Sequence, residues 1–141
     1  MTPEELNKLL TGSWTYRSMH DNPDINTPFN DLQFGAGIIE IAEVAYDQIT
    51  KGSLDMGGDY KLTMTGEIKR SQGEVKGIYM KGEGIAGTPT EGWVYEYYGN
   101  FVYRWENGID QKQVMRGSVI RTVQHGSAPA GYVATYYMVK H

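Results

Sequence analysis

The stretch LTGSWTYRS, Leu10 to Ser18, decides how the rest of the chain is read. Ahead of it, Thr2-Pro3-Glu4-Glu5 carries the chemistry of a helix start. Thr2 can cap the first turn, Pro3 suits the first helical position, and Glu5 completes a capping box. Leu6, Leu9 and Leu10 then form an apolar stripe, and Gly12 stops the helix after about two turns. Behind it, Trp14, Tyr16 and Ser18 alternate with Thr15, Arg17 and Met19, the period of a strand. Trp14 therefore stands where a short helix feeds a first strand. Its indole is either a plug for a closed sheet or part of a binding site.

Outward from this junction the chain reads as strands and turns. His20 to Asp31, HDNPDINTPFND, is a loop of functional length that would lie as a lid over an open end. Strands follow over 37–44, 48–54, 60–68, 74–81, 93–98, 101–106, 113–123 and 131–140. Gly99-Asn100 and Asn107-Gly108 read as two-residue hairpin signals. The pattern predicts an all-β fold: a closed antiparallel meander barrel of about 8–9 strands with a short N-terminal helix, one domain over 1–141. Closure removes the unpaired edges that so many strands would otherwise expose. No long helical crossover is available for parallel pairing.

The 141 residues suffice for one core without staples, and the chain contains no cysteine. Disulfides, thiolate zinc sites and cysteine nucleophiles are thereby excluded. The formal net charge is −4 and no long basic run occurs, which argues against nucleic acid and anionic membranes as partners. The N-terminus lacks a signal-peptide pattern and no apolar run is long enough for a membrane helix, so a cytoplasmic location is expected. His20, Asp21 and Asp24 match no recognised ligand spacing, so neither metal nor cofactor is expected. His125 reads as part of a solvated turn. Gly82-Glu83-Gly84-Ile85-Ala86-Gly87 spells a dinucleotide fingerprint but lacks the helix that would follow it.

Gly12-Ser13-Trp14, after a short helix and at the start of the first strand, resembles the G-x-W signature of the calycins, the group of lipocalins, fatty-acid-binding proteins and avidins. The C-terminal part, GWVYEYYGN through AGYVATYYMVK, is similar to bacterial lipocalin-like proteins. The chain departs from true lipocalins in lacking a T-D-x-x-Y element. The resemblance implies a barrel closed at one end by Gly12, Trp14 and a late arginine lying across the indole, Arg121 first and Arg116 second. It also implies a small, largely apolar ligand in the interior.

Eleven tyrosines, three tryptophans and three phenylalanines supply a wall for such a cavity. With Gly99-Asn100 as a two-residue turn, Val94, Glu96, Tyr98, Phe101, Tyr103 and Trp105 share one sheet face. Trp93, Tyr95, Tyr97, Val102 and Arg104 share the other. The first face is the more apolar and is turned inward, so the expected ligand-binding set is Tyr16, Glu96, Tyr98, Phe101, Tyr103, Trp105 and Tyr136. An interior Glu96 beside a tyrosine hydroxyl is also the candidate acid–base group of an alternative reading, a barrel isomerase or cyclase. Glu40, within Ile38-Ile39-Glu40-Ile41, is its weaker counterpart and is expected to point outward. A third reading is a non-catalytic barrel whose surface tyrosines form an interaction or homo-oligomer interface.

Overall fold

The computed structural model describes residues 1–102 and 104–141; Tyr103, one of the expected lining residues, lies outside the described residues. A helix, α1 (Pro3–Leu10), leads into eight strands: β1 (Gly12–His20), β2 (Gln33–Ala45), β3 (Gln48–Asp55), β4 (Lys61–Ser71), β5 (Glu74–Gly84), β6 (Val94–Phe101), β7 (Val114–Arg121) and β8 (Val133–Lys140). Each pairs antiparallel with the next, and β1 pairs with β8, so the meander closes into a barrel. The fold class is the expected one, all-β and closed, with the short helix in place.

The helix forms as its residues dictate. Thr2 accepts from the Glu5 amide at 3.1 Å while the Glu5 carboxylate takes the Thr2 amide at 2.8 Å. Leu6 and Leu10 are its buried stripe. Gly12 then takes φ +122°, a backbone conformation side chains other than glycine's rarely adopt, and the chain turns into β1.

The difference from nine strands has a physical source. Gly99-Asn100 is not a turn; β6 runs through both residues to Phe101. Residue 99 must be glycine for another reason. A Cβ there would lie 2.2 Å from the Tyr136 hydroxyl oxygen, so the missing side chain houses a phenol from β8. The described residues between β6 and β7 form no strand or hairpin of their own. A purely antiparallel meander can close only with an even number of strands, because the last must oppose the first.

Strand parity then assigns the two ends. Odd-numbered strands run from the α1 end toward the far end, and even-numbered strands return. The connections at the α1 end include the tight turns 46–47 and 72–73, whereas those at the far end are 21–32, 56–60, 85–93 and 122–132. The core fills the space between: Trp14, Tyr16, Tyr97, Tyr136 and the buried leucines, isoleucines and methionines. No helix among the described residues is long and apolar enough to cross a membrane.

Candidate functional site

The α1 end is sealed. The Trp14 indole is fully buried and its Nε1 donates to the Leu10 carbonyl at 2.9 Å, tying β1 to the helix. The cation across this indole is Lys140, whose Nζ lies 5.9 Å from the ring centre and donates to the Lys8 and Leu9 carbonyls at 2.7 and 2.8 Å. One ammonium thereby serves the ring face and the carbonyl end of the helix dipole.

Arg121 is therefore not the partner of Trp14. It ends β7, an odd strand, and so arrives at the opposite end of the barrel. The resemblance to the calycins sets a late arginine across the indole; here Lys140 of β8 takes that place. Arg116, the second candidate, is exposed on the wall.

At that far end the barrel keeps a cavity of about 50 Å³. Tyr16, Ser18, Leu54, Leu62, Tyr97 and Val119 form its inner walls, and Phe34, Met56, Trp93 and Tyr95 lie toward the mouth. Two residues on from Val119 and Ser18, and on the same faces, stand Arg121 and His20. Arg121 is 7% exposed. Its Nε donates to the Tyr95 hydroxyl at 3.0 Å and its Nη1 to the Pro129 carbonyl at 3.1 Å. The guanidinium carbon lies 5.3–5.6 Å from the ring centres of Phe34, Tyr95 and Tyr132.

Two histidines flank it. Tyr95, which accepts from Arg121, also shares a hydrogen bond of 2.8 Å with His125 Nε2. Burial first, and the Arg121 charge second, hold the His125 pKa below the usual value. Trp93 stacks on the imidazole at 4.2 Å. His20 bonds the Tyr132 hydroxyl and packs against Phe34. His125 is thus part of the mouth, not of a solvated turn. Nothing in the sequence near Gln124-His125-Gly126 announces this; the contact is with a tryptophan 32 positions earlier.

The expected lining set divides. Tyr16 lines the cavity. Tyr136 is buried behind it, in a cluster in which Tyr16, Tyr97 and Tyr136 ring centres lie 5.7–5.9 Å apart. Burial pushes the Tyr16 hydroxyl up to about 12 and raises those of Tyr97 and Tyr136, so all three stay neutral at physiological pH. The Tyr136 hydroxyl has no hydrogen-bond partner among the described residues.

Glu96 and Tyr98 instead face out, because Tyr95 and Tyr97 are the inward pair of β6. Treating Gly99-Asn100 as strand rather than turn places Tyr98 and Phe101 on opposite faces. Phe101 keeps an inward aspect and packs on the core, while Tyr98 is half exposed. Trp105 is 73% exposed in the connection after β6 and lines no interior wall. Glu96 accepts from Tyr79 at 2.8 Å on the outer wall, and that bond, after burial, raises the Tyr79 pKa to about 12. Glu40 also points out, as expected, and takes the Ser13 hydroxyl. Among the described residues no carboxylate lines the cavity, so they assemble no interior acid–base pair of the kind the isomerase reading needs. Among the described residues no group of three or more His, Cys, Asp or Glu side chains could hold a metal. Phe29, near the end of the 21–32 connection, shares a groove with Arg17, Met19 and Tyr137 on the outer wall.

No protein-family model matches the chain, and searches of curated proteins and of solved structures give no match. The barrel and its one open end are the ground for a functional reading.

Proposed function

We propose that this protein is a lipocalin-like binding barrel that admits a small, largely apolar molecule through the Arg121 end. The observation that carries the reading is the asymmetry of the ends. One is closed by α1, Trp14 and Lys140; the other holds an apolar cavity under partly buried rim side chains, Phe34, Met56, Trp93 and Tyr132. Ligand pockets for drug-sized molecules measure ~300–1,000 Å³. A cavity of about 50 Å³ suits something much smaller.

Xenon tests this directly, since it enters dry apolar cavities without needing polar contacts. Xenon-pressurised crystals, or chemical shifts under xenon, should place the atom among Tyr16, Leu54, Tyr97 and Val119. Val119→Phe should fill that volume and exclude it. Xenon that stays outside the wild-type barrel would refute the reading.

A further inference from the structure

A second surface with the form of a site lies on the outer wall, apart from the cavity. Strand pairing sets outward residues of neighbouring strands side by side there. Lys69, Gly77, Asn100 and Arg116 form one row across β4 to β7. Tyr98, Ser118 and Thr135 form the next row across β6 to β8, two residues or ~7 Å nearer the mouth end. Both rows line one groove of about 410 Å³. Its floor is backbone, because Gly77, Gly99 and Gly117 lie in three adjacent strands. A Cβ at Gly77 would overlap the Gly99 carbonyl oxygen, and one at Gly117 would overlap that of Tyr98. The strands approach too closely for side chains, so the floor stays clear.

The two sides of the groove differ in chemistry. Lys69, Lys76 and Arg116 bring three cations to the α1 side, with the Asn100 amide among them, and among the described residues no carboxylate lines the groove. Lys69 and Lys76 lean on Glu67 and Glu74 at 3.0 and 3.2 Å, in exposed pairs weak enough to yield to a stronger anion. Arg116 is exposed and forms no ion pair among the described residues. On the mouth side the Tyr98 ring is half exposed and is backed by the Tyr79 ring, 5.2 Å away between centres. The Ser118 and Thr135 hydroxyls stand beside it, and Thr135 donates to the Asp21 carboxylate at 2.7 Å. A ring face with two hydroxyls and an acceptor behind them suits a hydroxylated ring. Three converging cations suit a phosphate dianion. The net charge of −4 limits the length of that anion. Local cations dominate within the Debye length of ~8 Å, whereas a long polyanion would run onto the acidic remainder of the surface. We propose that this groove binds a phosphate monoester of a hydroxylated ring, a sugar phosphate or a nucleoside monophosphate. Its phosphate lies at Arg116, Lys69 and Lys76, and its ring lies against Tyr98.

The test is a titration of the whole protein at constant ionic strength, followed by amide chemical shifts. The probes are glucose 6-phosphate, ribose 5-phosphate and AMP, against glucose, adenosine and inorganic phosphate. The esters should bind with their largest shifts at Gly77, Gly99, Arg116 and Gly117. The probes that lack either the phosphate or the ring should bind about 10-fold or more weakly. AMP binding above ribose 5-phosphate names the nucleotide as the source, and parity or the reverse order names the sugar phosphate. Added salt should weaken the esters and leave glucose as it was. Arg116→Gln should weaken every ester by about 10-fold. Tyr98→Ala should weaken the esters and leave inorganic phosphate as it was. Both side chains are exposed, so both variants should fold and still admit xenon to the cavity. Inorganic phosphate binding as tightly as the esters would reveal an adventitious ion site only and overturn the proposal. Failure of all three esters to bind, ester binding unchanged in Arg116→Gln, or shifts confined to the cavity would overturn it too. The cavity stands apart from these outcomes, since xenon alone decides it.

Discussion

Replacing Gly99 with alanine puts a methyl group 2.2 Å from the Tyr136 hydroxyl oxygen, 3.1 Å from the Arg116 carbonyl oxygen and 3.2 Å from the Tyr136 Cζ. The first distance is impossible unless the buried phenol or the strand shifts. Overpacking of this kind costs ~1–3 kcal/mol. The entropy of unfolding of a chain of 141 residues is about 0.3 kcal/mol per kelvin, so the melting temperature of Gly99→Ala should fall by about 3–10 °C. Tyr136→Phe should behave in the opposite sense. It deletes a buried hydroxyl with no protein partner, whose desolvation costs ~1–3 kcal/mol, and should raise the melting temperature by about 3 °C or more. The two changes are coupled through one contact. In the Tyr136→Phe background the new methyl group loses its 2.2 Å clash and keeps only the contacts near 3.1–3.2 Å. Alanine at 99 should then cost less than half of what it costs alone, a coupling of about 1–2 kcal/mol by a double-mutant cycle in urea and by calorimetry. Additivity of the two substitutions would refute the idea that residue 99 is glycine to seat this phenol. So would a loss of more than about 1 kcal/mol in Tyr136→Phe, since it would mean that the hydroxyl is well bonded.

Trp14→Phe gives up the bond to the Leu10 carbonyl and part of the plug, and should lower stability by ~2–3 kcal/mol in denaturant unfolding. Lys140→Met keeps the stem but loses both helix carbonyls; it should destabilise by ~1–2 kcal/mol and shift the Trp14 indole N–H resonance, which Arg121→Met should leave in place. His125 has a lowered pKa in the folded chain, so below 6.5 the unfolded chain binds more protons than the folded one. Its contribution to stability is full above 6.5 and is lost as pH falls toward the lowered value. Melting temperatures from pH 5 to 8 should therefore show a steeper acid decline for the wild type than for His125→Asn.

The architecture was readable because it rests on local signals: the capping box at Thr2 and Glu5, the alternation from Trp14 to Ser18, and the turns between strands. The site was less so, because its parts meet only across the sheet. Gly99-Asn100 has the letters of a turn, and only the position of Tyr136 on a strand two removed shows that the glycine is a socket. That misreading exchanged the faces of β6, putting Glu96 and Tyr98 inside and Tyr95 and Tyr97 outside, and it added a strand. Arg121 was set at the Trp14 end by the resemblance to the calycins alone. The requirement for an even number of strands was the available signal that nine could not all stand. Phe34, Trp93 and His125 at the mouth had no comparable signal, since each is placed by a different connection or strand end.

The pairing of β1 with β8 is the seam of the barrel, and Thr15 meets His141 across 126 residues of chain at 2.8 Å. Seven strands can assemble by adding neighbours in order, but the seam waits for the eighth to emerge from the ribosome. Until then the nascent sheet has two raw borders able to recruit other chains. Slow folding and a window of vulnerability late in synthesis follow from that geometry. A stop codon before Val133 would leave a sheet that cannot close, however well its earlier strands are made.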